Sequence, residues 1–453
     1  MDKTKKQFLK FVIPSILSML IFNLYTMVDG IYVAQLVGET ALSAVNISLP
    51  YTNFIFAFSL LFAVGSSTVI AIFKGQGKHH EANVTFSKNT FFLSICGLLI
   101  TVLANVFIEP LAYFLGASEN TLPYVLDYLG ILIWFSYFYI VSYSLEVLVK
   151  TDGYPIVSTI GVITGGITNI VLDGVFIIIF DMGIKGAALA TGLSQVLTFI
   201  VFFSHFISKK GTIHWCKFDF DFSIYKRIIP IGLADFFTEL SAGLIVFMFN
   251  HAILTYIGDE GIVTYSVITY IYNIIMMTFS GVSQGVQPLI SYAYGQDDDQ
   301  LCNTYFKYAN KFSFIFSLIA LAICLLGTKW IVMIFISPDS QPLFNHTITA
   351  FRAFSLCYLV IGYNIVMAGY FAAVERSKNS FTISLLRGCI LIAFSIFITS
   401  HLFGGNGIWY STLLCESLCL CVSLSLYKQY KNRFNYQFKT NKKILKRKVP
   451  TYE

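Results

Sequence analysis

Charge is what this chain has least of. Asp, Glu, Lys and Arg make up only 12% of its 453 residues, and apolar residues make up 56%. Soluble proteins run at about 25% charged. A water-soluble fold of this length could not clothe its surface with so few charges, and the mean hydropathy of +0.71 agrees. The ten-residue alternating segments of a membrane β-barrel are also missing. Apolar runs of twenty or more residues take their place, and in lipid such runs satisfy their backbone as α-helices. Cysteine–histidine spacing of the zinc type is absent. The nine cysteines, including Cys415, Cys419 and Cys421 in one span, read as small apolar packing residues. No metal, cofactor or nucleophile motif points to an enzyme.

Apolar stretches fall at 11–34, 46–73, 89–109, 123–149, 156–180 and 187–208. A second set falls at 227–253, 262–290, 311–336, 349–374, 379–402 and 408–427. The fold class that follows is all-α integral membrane, with twelve transmembrane helices. The start, Met1-Asp2-Lys3-Thr4-Lys5-Lys6, resembles the basic end of a signal peptide. The apolar stretch after it is too long, carries Asp29 and shows no small-residue cleavage site before it, so a retained first span is expected.

With an amino terminus inside, 26 of the 30 basic residues lie on cytoplasmic segments or their flanks. Only Lys185, Lys329 and Arg352 lie outside, and Arg387 falls within a span. The positive-inside bias therefore places both termini in the cytoplasm. The formal net charge of +6 and the basic tail need no nucleic acid, because anionic lipid of a plasma membrane is a sufficient partner.

The polar stretch 209–223 divides the spans six and six. The expected organisation is an amino-terminal lobe at 1–208, a cytoplasmic linker at 209–226, a carboxyl-terminal lobe at 227–427 and a basic tail at 428–453. Pro14 to Gly65 and Pro230 to Gly281 share one spacing. Gly-Gln follows in each half, and Gly183-Ile184-Lys185-Gly186 has an echo in Gly404-Gly405-Asn406-Gly407. Two six-helix bundles related by a pseudo-two-fold axis along the membrane normal fit this pattern, and internal repeats of this kind mark transporters.

In such a chain the costly residues carry the information, since a mid-bilayer charge costs at least about 2.5–3.5 kcal/mol on insertion scales. Tyr25 and Asp29 share a face of the first span, and Asn169 and Asp173 a face of the fifth. Thr191 opens the sixth. If these spans meet, two carboxyls, a phenol, an amide and a hydroxyl share a dry pocket that can take a proton, or a sodium ion held between Asp29 and Asp173. Solvation of both acids at a helix end is the alternative. Pro14 gives the first span a place to bend. Asp235 and Glu239, one turn apart on the seventh span, form a second candidate. Glu146 and Glu416 are further intramembrane acids, and Arg387 is a base without an assigned partner. Met276 and Met277, with Tyr265, Tyr270 and Tyr272, are candidates to line a cavity.

Val28-Asp29-Gly30-Ile31-Tyr32-Val33, the Gly38 to Ala44 run, Pro50 and Lys74-Gly75-Gln76-Gly77 resemble the multidrug and toxic compound extrusion (MATE) family. The more specific stretch from Asn169-Ile170-Val171-Leu172-Asp173 through Gly183 to Thr191 does too, and the likeness covers about residues 5–430. It implies a V-shaped pair of bundles that exports cationic or amphipathic drugs in exchange for protons or sodium. No cofactor is expected, and the expected form is a monomer. In the DinF-like branch it implies an ion-coupling network of Tyr25, Asp29, Asn169, Asp173 and Thr191, with Pro14 as bending point. The other bacterial branch uses a seventh-helix glutamate. Glu239 stands one residue from that place, and the tenth span offers no acidic partner. A lipid-linked precursor flippase is the rival reading, and it would want cations inside the cavity.

Overall fold

The computed structural model describes residues 3–447, which are mostly helical, with no strand among them. Among the described residues, eleven helices are each long and apolar enough to cross a membrane. They are α1 (Lys3–Val37), α2 (Glu39–Gly75), α3 (His79–Val106), α4 (Leu122–Thr151), α5 (Pro155–Ile179), α6 (Gly183–Ile207), α7 (Tyr225–Tyr256), α8 (Asp259–Gly295) and α9 (Asp299–Phe335), followed by α11 (Ser377–Phe403) and α12 (Ser411–Arg447). Between α9 and α11 the chain crosses as a bent pair, α10 (Gln341–Ser355 with Tyr358–Ala373), kinked by 41°. Twelve spans result. Helices α2 and α8 start at Glu39 and Asp259, earlier than the apolar runs at 46 and 262. Hydropathy measures the bilayer, whereas the hydrogen-bond ladder continues through polar ends. The basic tail continues α12 to Arg447; residues 1–2 and 448–453 lie outside the described residues.

Three helices carry a π-helical turn. One follows Asp29 at Val33–Val37, one follows Asp173 at Gly174–Ile179, and one at Leu386–Ile390 contains Arg387. A π turn inserts one residue and breaks the regular ladder, which is tolerated mainly where side chains must be aimed. Gly183 and Gly404, the echoed glycines, both turn the chain at positive φ, 56° and 61°.

The repeated proline–glycine spacing has a structural meaning. A Cβ on Gly65 of α2 would collide with the carbonyl oxygen of Ile228 on α7, next to Pro230. One on Gly281 of α8 would stand 2.6 Å from the Ile16 Cα on α1, next to Pro14. Gly232 meets the Leu61 backbone, Gly285 the Val12 backbone, and Gly75 and Gly295 close on each other's helices. Backbone therefore touches backbone along a crossed seam, α2 on α7 and α1 on α8, at the end rich in Lys and Arg. The two proline helices begin in swapped company. Phe8, Phe11 and Val12 of α1 sit in a core with α8, α9 and α10, while Tyr225, Ile228 and Ile231 of α7 sit in a core with α2 and α4.

The linker is a strap pinned along α3. Lys88 holds Asp219 at 2.7 Å and the Asp221 carbonyl at 2.9 Å. Trp215 packs on Phe86, and Phe218 on Phe91. Its anchor is Asp152, just past α4, which is fully buried and accepts from the backbone N–H of Thr212 (2.8 Å) and Ile213 (3.0 Å). It also meets His205 Nε2 at 3.0 Å and Lys74 Nζ at 3.5 Å. Burial alone would push this carboxyl up. The His205 hydrogen bond, the Lys74 charge and the Thr212 donors outweigh it and hold the group below its ordinary value. A depressed carboxylate stabilises the fold above the unfolded value and loses that contribution only as pH falls through the folded one. The strap should therefore stay clamped from the ordinary carboxylate range of about 4 up through neutral pH. Asp152→Ala, which leaves Lys74 and His205 buried without their anion, should cost about 3–5 kcal/mol in thermal unfolding. A melting temperature equal to wild type would show that the strap is not anchored there.

Candidate functional site

Between the two sets of helices lies a cavity of about 440 Å³. It is closed towards the basic end by the glycine seam and by two cross-contacts. Gln284 Nε2 donates to the Tyr143 hydroxyl and Gln287 Nε2 to Thr68 Oγ1, each at 3.3 Å. Its wall is largely apolar, with Met276 and Met277 on it. Tyr265 stacks on Phe249 and Tyr270 on Phe335, so those two tyrosines serve packing. Tyr272 packs on Phe354 within the α7–α10 core.

Among the described residues, four acids line the cavity: Asp29, Glu146, Asp235 and Glu239. The five residues singled out in the first half gather on one side. Asp173 is fully buried, and its carboxyl lies within hydrogen-bonding reach of Asp29. Asn169 Nδ2 donates to Thr191 Oγ1 at 3.4 Å. Tyr25 stands within electrostatic reach of Asp29, and its hydroxyl pairs with Gln195 on α6. Pro14 lies lower on α1, where its carbonyl accepts from Thr159 Oγ1 of α5 at 2.9 Å and from Ser18 Oγ at 3.0 Å, so the proline turn of α1 is tied to α5.

The acceptors in this cluster outnumber its donors. Asp29 Oδ1, both carboxyl oxygens of Asp173 and Asn169 Oδ1 are enclosed and accept no hydrogen bond. Buried polar atoms are almost always paired, and an unpaired set asks for an unseen proton, water or ion. Four acceptor-only oxygens ask for positive charge. Sequence reasoning missed Tyr128 on α4, which bonds Thr191 and stands beside both Asp29 and Asp173. The available signal was a stripe: Tyr128, Tyr139, Tyr143 and Glu146 recur on one face at helical spacing.

Asp235 and Glu239 lie on the α7 wall, and Glu239 stands within electrostatic reach of Tyr139 and Tyr143 across the cavity. No second acid joins them from α10 among the described lining residues. Arg387 has found its partner. Its Nε donates to Glu416 Oε1 at 2.9 Å, and Asn364 Nδ2 occupies Oε2 at 2.8 Å. The pair is buried, so Arg387→Gln should leave Glu416 uncompensated and cost about 3–5 kcal/mol, while Arg387→Met with Glu416→Met should recover most of that. Thermal unfolding of the two variants checks this; equal loss in both would mean that the ion pair is not what the site needs.

The sequence profile of the MatE family matches residues 14–175 and 233–397, most of the chain and both halves. The chain belongs to the MatE family. The multidrug export protein MepA of Staphylococcus haemolyticus (strain JCSC1435) is 25% identical over 433 residues, covering 94% of each chain. MepA of Staphylococcus aureus (strain bovine RF122 / ET3-1) is 23% identical over 432 residues, again 94% of each. Among solved structures, an outward-facing multidrug resistance MATE family transporter of the MOP superfamily superposes with a TM-score of 0.91 at 22% identity. It covers 96% of this chain and 97% of that one. MATE in the straight conformation gives 0.90 at 22% identity, covering 96% and 98%. These place the MatE chain in the twelve-helix transporter fold.

Proposed function

We propose that this MatE protein exports lipophilic organic cations across the cell membrane in exchange for protons or sodium, and that the ion acts at Asp29 and Asp173. The donor-poor acid cluster carries this reading. Two adjoining carboxyls, with Asn169 Oδ1 beside them, hold no counter-cation among the described residues. They are short of positive charge until an ion arrives. Thr191 links Asn169 and Tyr128 beside the pair.

Occupation of the pair removes the repulsion and lets the outer part of α1 settle onto α5. The cavity wall formed by α1 changes shape, with Pro14 as pivot, and the drug leaves. An ion drives this only if it binds the two conformations unequally. The basic end is read as cytoplasmic, with both termini there, so the seam seals the inside and the cavity faces out. We take the lobes as 1–208 and 227–427, the linker as 209–226, although α7 already starts at Tyr225, and the working form as a monomer.

The acidic wall also argues against a flippase. Arg387 is the only basic side chain among the described lining residues, against the acids Asp29, Glu146, Asp235 and Glu239. A pyrophosphate would meet a wall with an excess of carboxyls. The test is ethidium efflux from vesicles holding the protein, with proton and sodium gradients imposed separately. One gradient should accelerate efflux well above that of empty vesicles, and failure of both would remove this function.

A further inference from the structure

Glu146 belongs to neither acid pair, and its surroundings are built. It lies on α4 seven residues after Tyr139 and three after Tyr143, so the three share a face. One more turn down, Lys150 is wholly buried and holds Glu146 Oε1 at 2.9 Å. Ser158 of α5 donates to the same oxygen at 3.0 Å. These two contacts give the carboxylate a counter-charge and fix its direction. The other oxygen, Oε2, has no hydrogen bond or ion pair among the described residues and is not enclosed. The residue as a whole is 5% exposed, and it lines both the main cavity and a side niche of about 30 Å³ beneath Tyr25. A carboxylate oxygen, unpartnered on a side chain more than nine-tenths buried, thus opens into a chamber walled by the rings of Tyr25, Tyr139 and Tyr143. Phe56 packs on Tyr143 at 4.6 Å and stiffens that wall.

A carboxylate framed by aromatic rings suits a desolvated organic cation, since ring faces attract positive charge and the carboxylate accepts its N–H groups. We propose that Glu146 is the anchor for the positive nitrogen of the exported compound, an ammonium or amidinium group caged by Tyr25, Tyr139 and Tyr143. The proposal rests on the export reading above and adds the subsite. It separates cargo from coupling ion: the drug holds Glu146, the ion holds Asp29 and Asp173, and Tyr25 stands within electrostatic reach of both. The two cations then act through a shared wall and do not compete for one carboxyl.

The experiment measures ethidium binding to purified protein by fluorescence, with uncharged Nile red as companion probe. Glu146→Gln alone strands Lys150, so the decisive variant is Glu146→Gln with Lys150→Gln, which removes the pair without leaving a buried charge. Ethidium affinity should fall by at least about tenfold, the loss of one charged contact, with Nile red affinity unchanged. In vesicles KM for ethidium should rise while kcat is largely kept, and Glu146→Asp should restore most of the binding. Unchanged ethidium affinity, or an equal loss for both dyes, overturns the subsite. If wild-type protein binds no ethidium and exports none, the export reading falls first and the subsite with it.

Discussion

Asp29→Asn should bring gradient-driven efflux down to the level of empty vesicles and leave a folded protein. Asparagine keeps the size of aspartate and cannot take up a proton or hold a sodium ion by charge. The Asp173 carboxyl would then face an amide, and its two unpartnered oxygens could accept that amide's N–H groups. The cluster would be satisfied with no ion present. A site satisfied in both conformations exerts no pull on either, so the gradient has nothing to act on. The variant should unfold at least as late as wild type, because a buried acid crowded by a second one costs several kcal/mol while unpaired. Asp173→Asn should behave alike, and both should still bind ethidium, since Glu146 is untouched. Full-rate efflux by Asp29→Asn under the driving gradient would place the coupling elsewhere, and the Asp235–Glu239 face on α7 would be the next place to look.

The second large effect belongs to the seam. Gly65→Val and Gly281→Val should each lower transport more than about tenfold, although neither residue touches the acid cluster. At Gly65 even the first carbon would run into the Ile228 carbonyl, and at Gly281 it would stand 2.6 Å from the Ile16 Cα. Backbone cannot rotate out of the way, so α2 must part from α7, or α1 from α8. Overpacking of this kind costs about 1–3 kcal/mol or more. Here it falls on the contact that closes the basic end, which has to form and separate in every cycle of alternating access. Gly243, on α7, supplies the control: a Cβ there would meet no atom within 4 Å, and Gly243→Ala should transport normally. Efflux at wild-type rate in Gly65→Val would show that the seam is not part of the cycle.

Local pattern made much of this legible in the sequence. A helix repeats every 3.6 residues and a bilayer has one thickness, so twelve spans and their order follow from runs of apolar side chains. A charge in such a run is conspicuous, and Asp29, Asp173, Glu146 and Arg387 stood out for that reason. The fifth-to-sixth-span motif named the family. Helical arithmetic also set Tyr25 with Asp29, and Asn169 with Asp173. The shared Pro–Gly spacing announced a repeat, although its purpose was hidden. Tyr128 passed unnoticed because its nearest partners on that face, Tyr139, Tyr143 and Glu146, lie three turns and more further along, and the groups it meets, Thr191, Asp29 and Asp173, stand on other helices.

What the tertiary structure alone decided is which distant groups meet. Asp29 and Asp173 lie on different helices, and their contact depends on how α1, α4, α5 and α6 pack. Arg387 chose Glu416 over the other intramembrane acids because Asn364 fixes that carboxylate beside it. Gly65 and Gly281 serve each other's proline helix, a crossing that no spacing along the chain reveals. Glu146 shows the division within one residue. Its spacing from Lys150 was readable as a helical ion pair, but only the fold shows that this pair and Ser158 occupy one oxygen and turn the other into the cavity. Periodicity and hydropathy act along the chain, within a turn or a bilayer's thickness. Contacts between helices depend on packing across the whole molecule, and the sequence holds that information only in the sum of its parts.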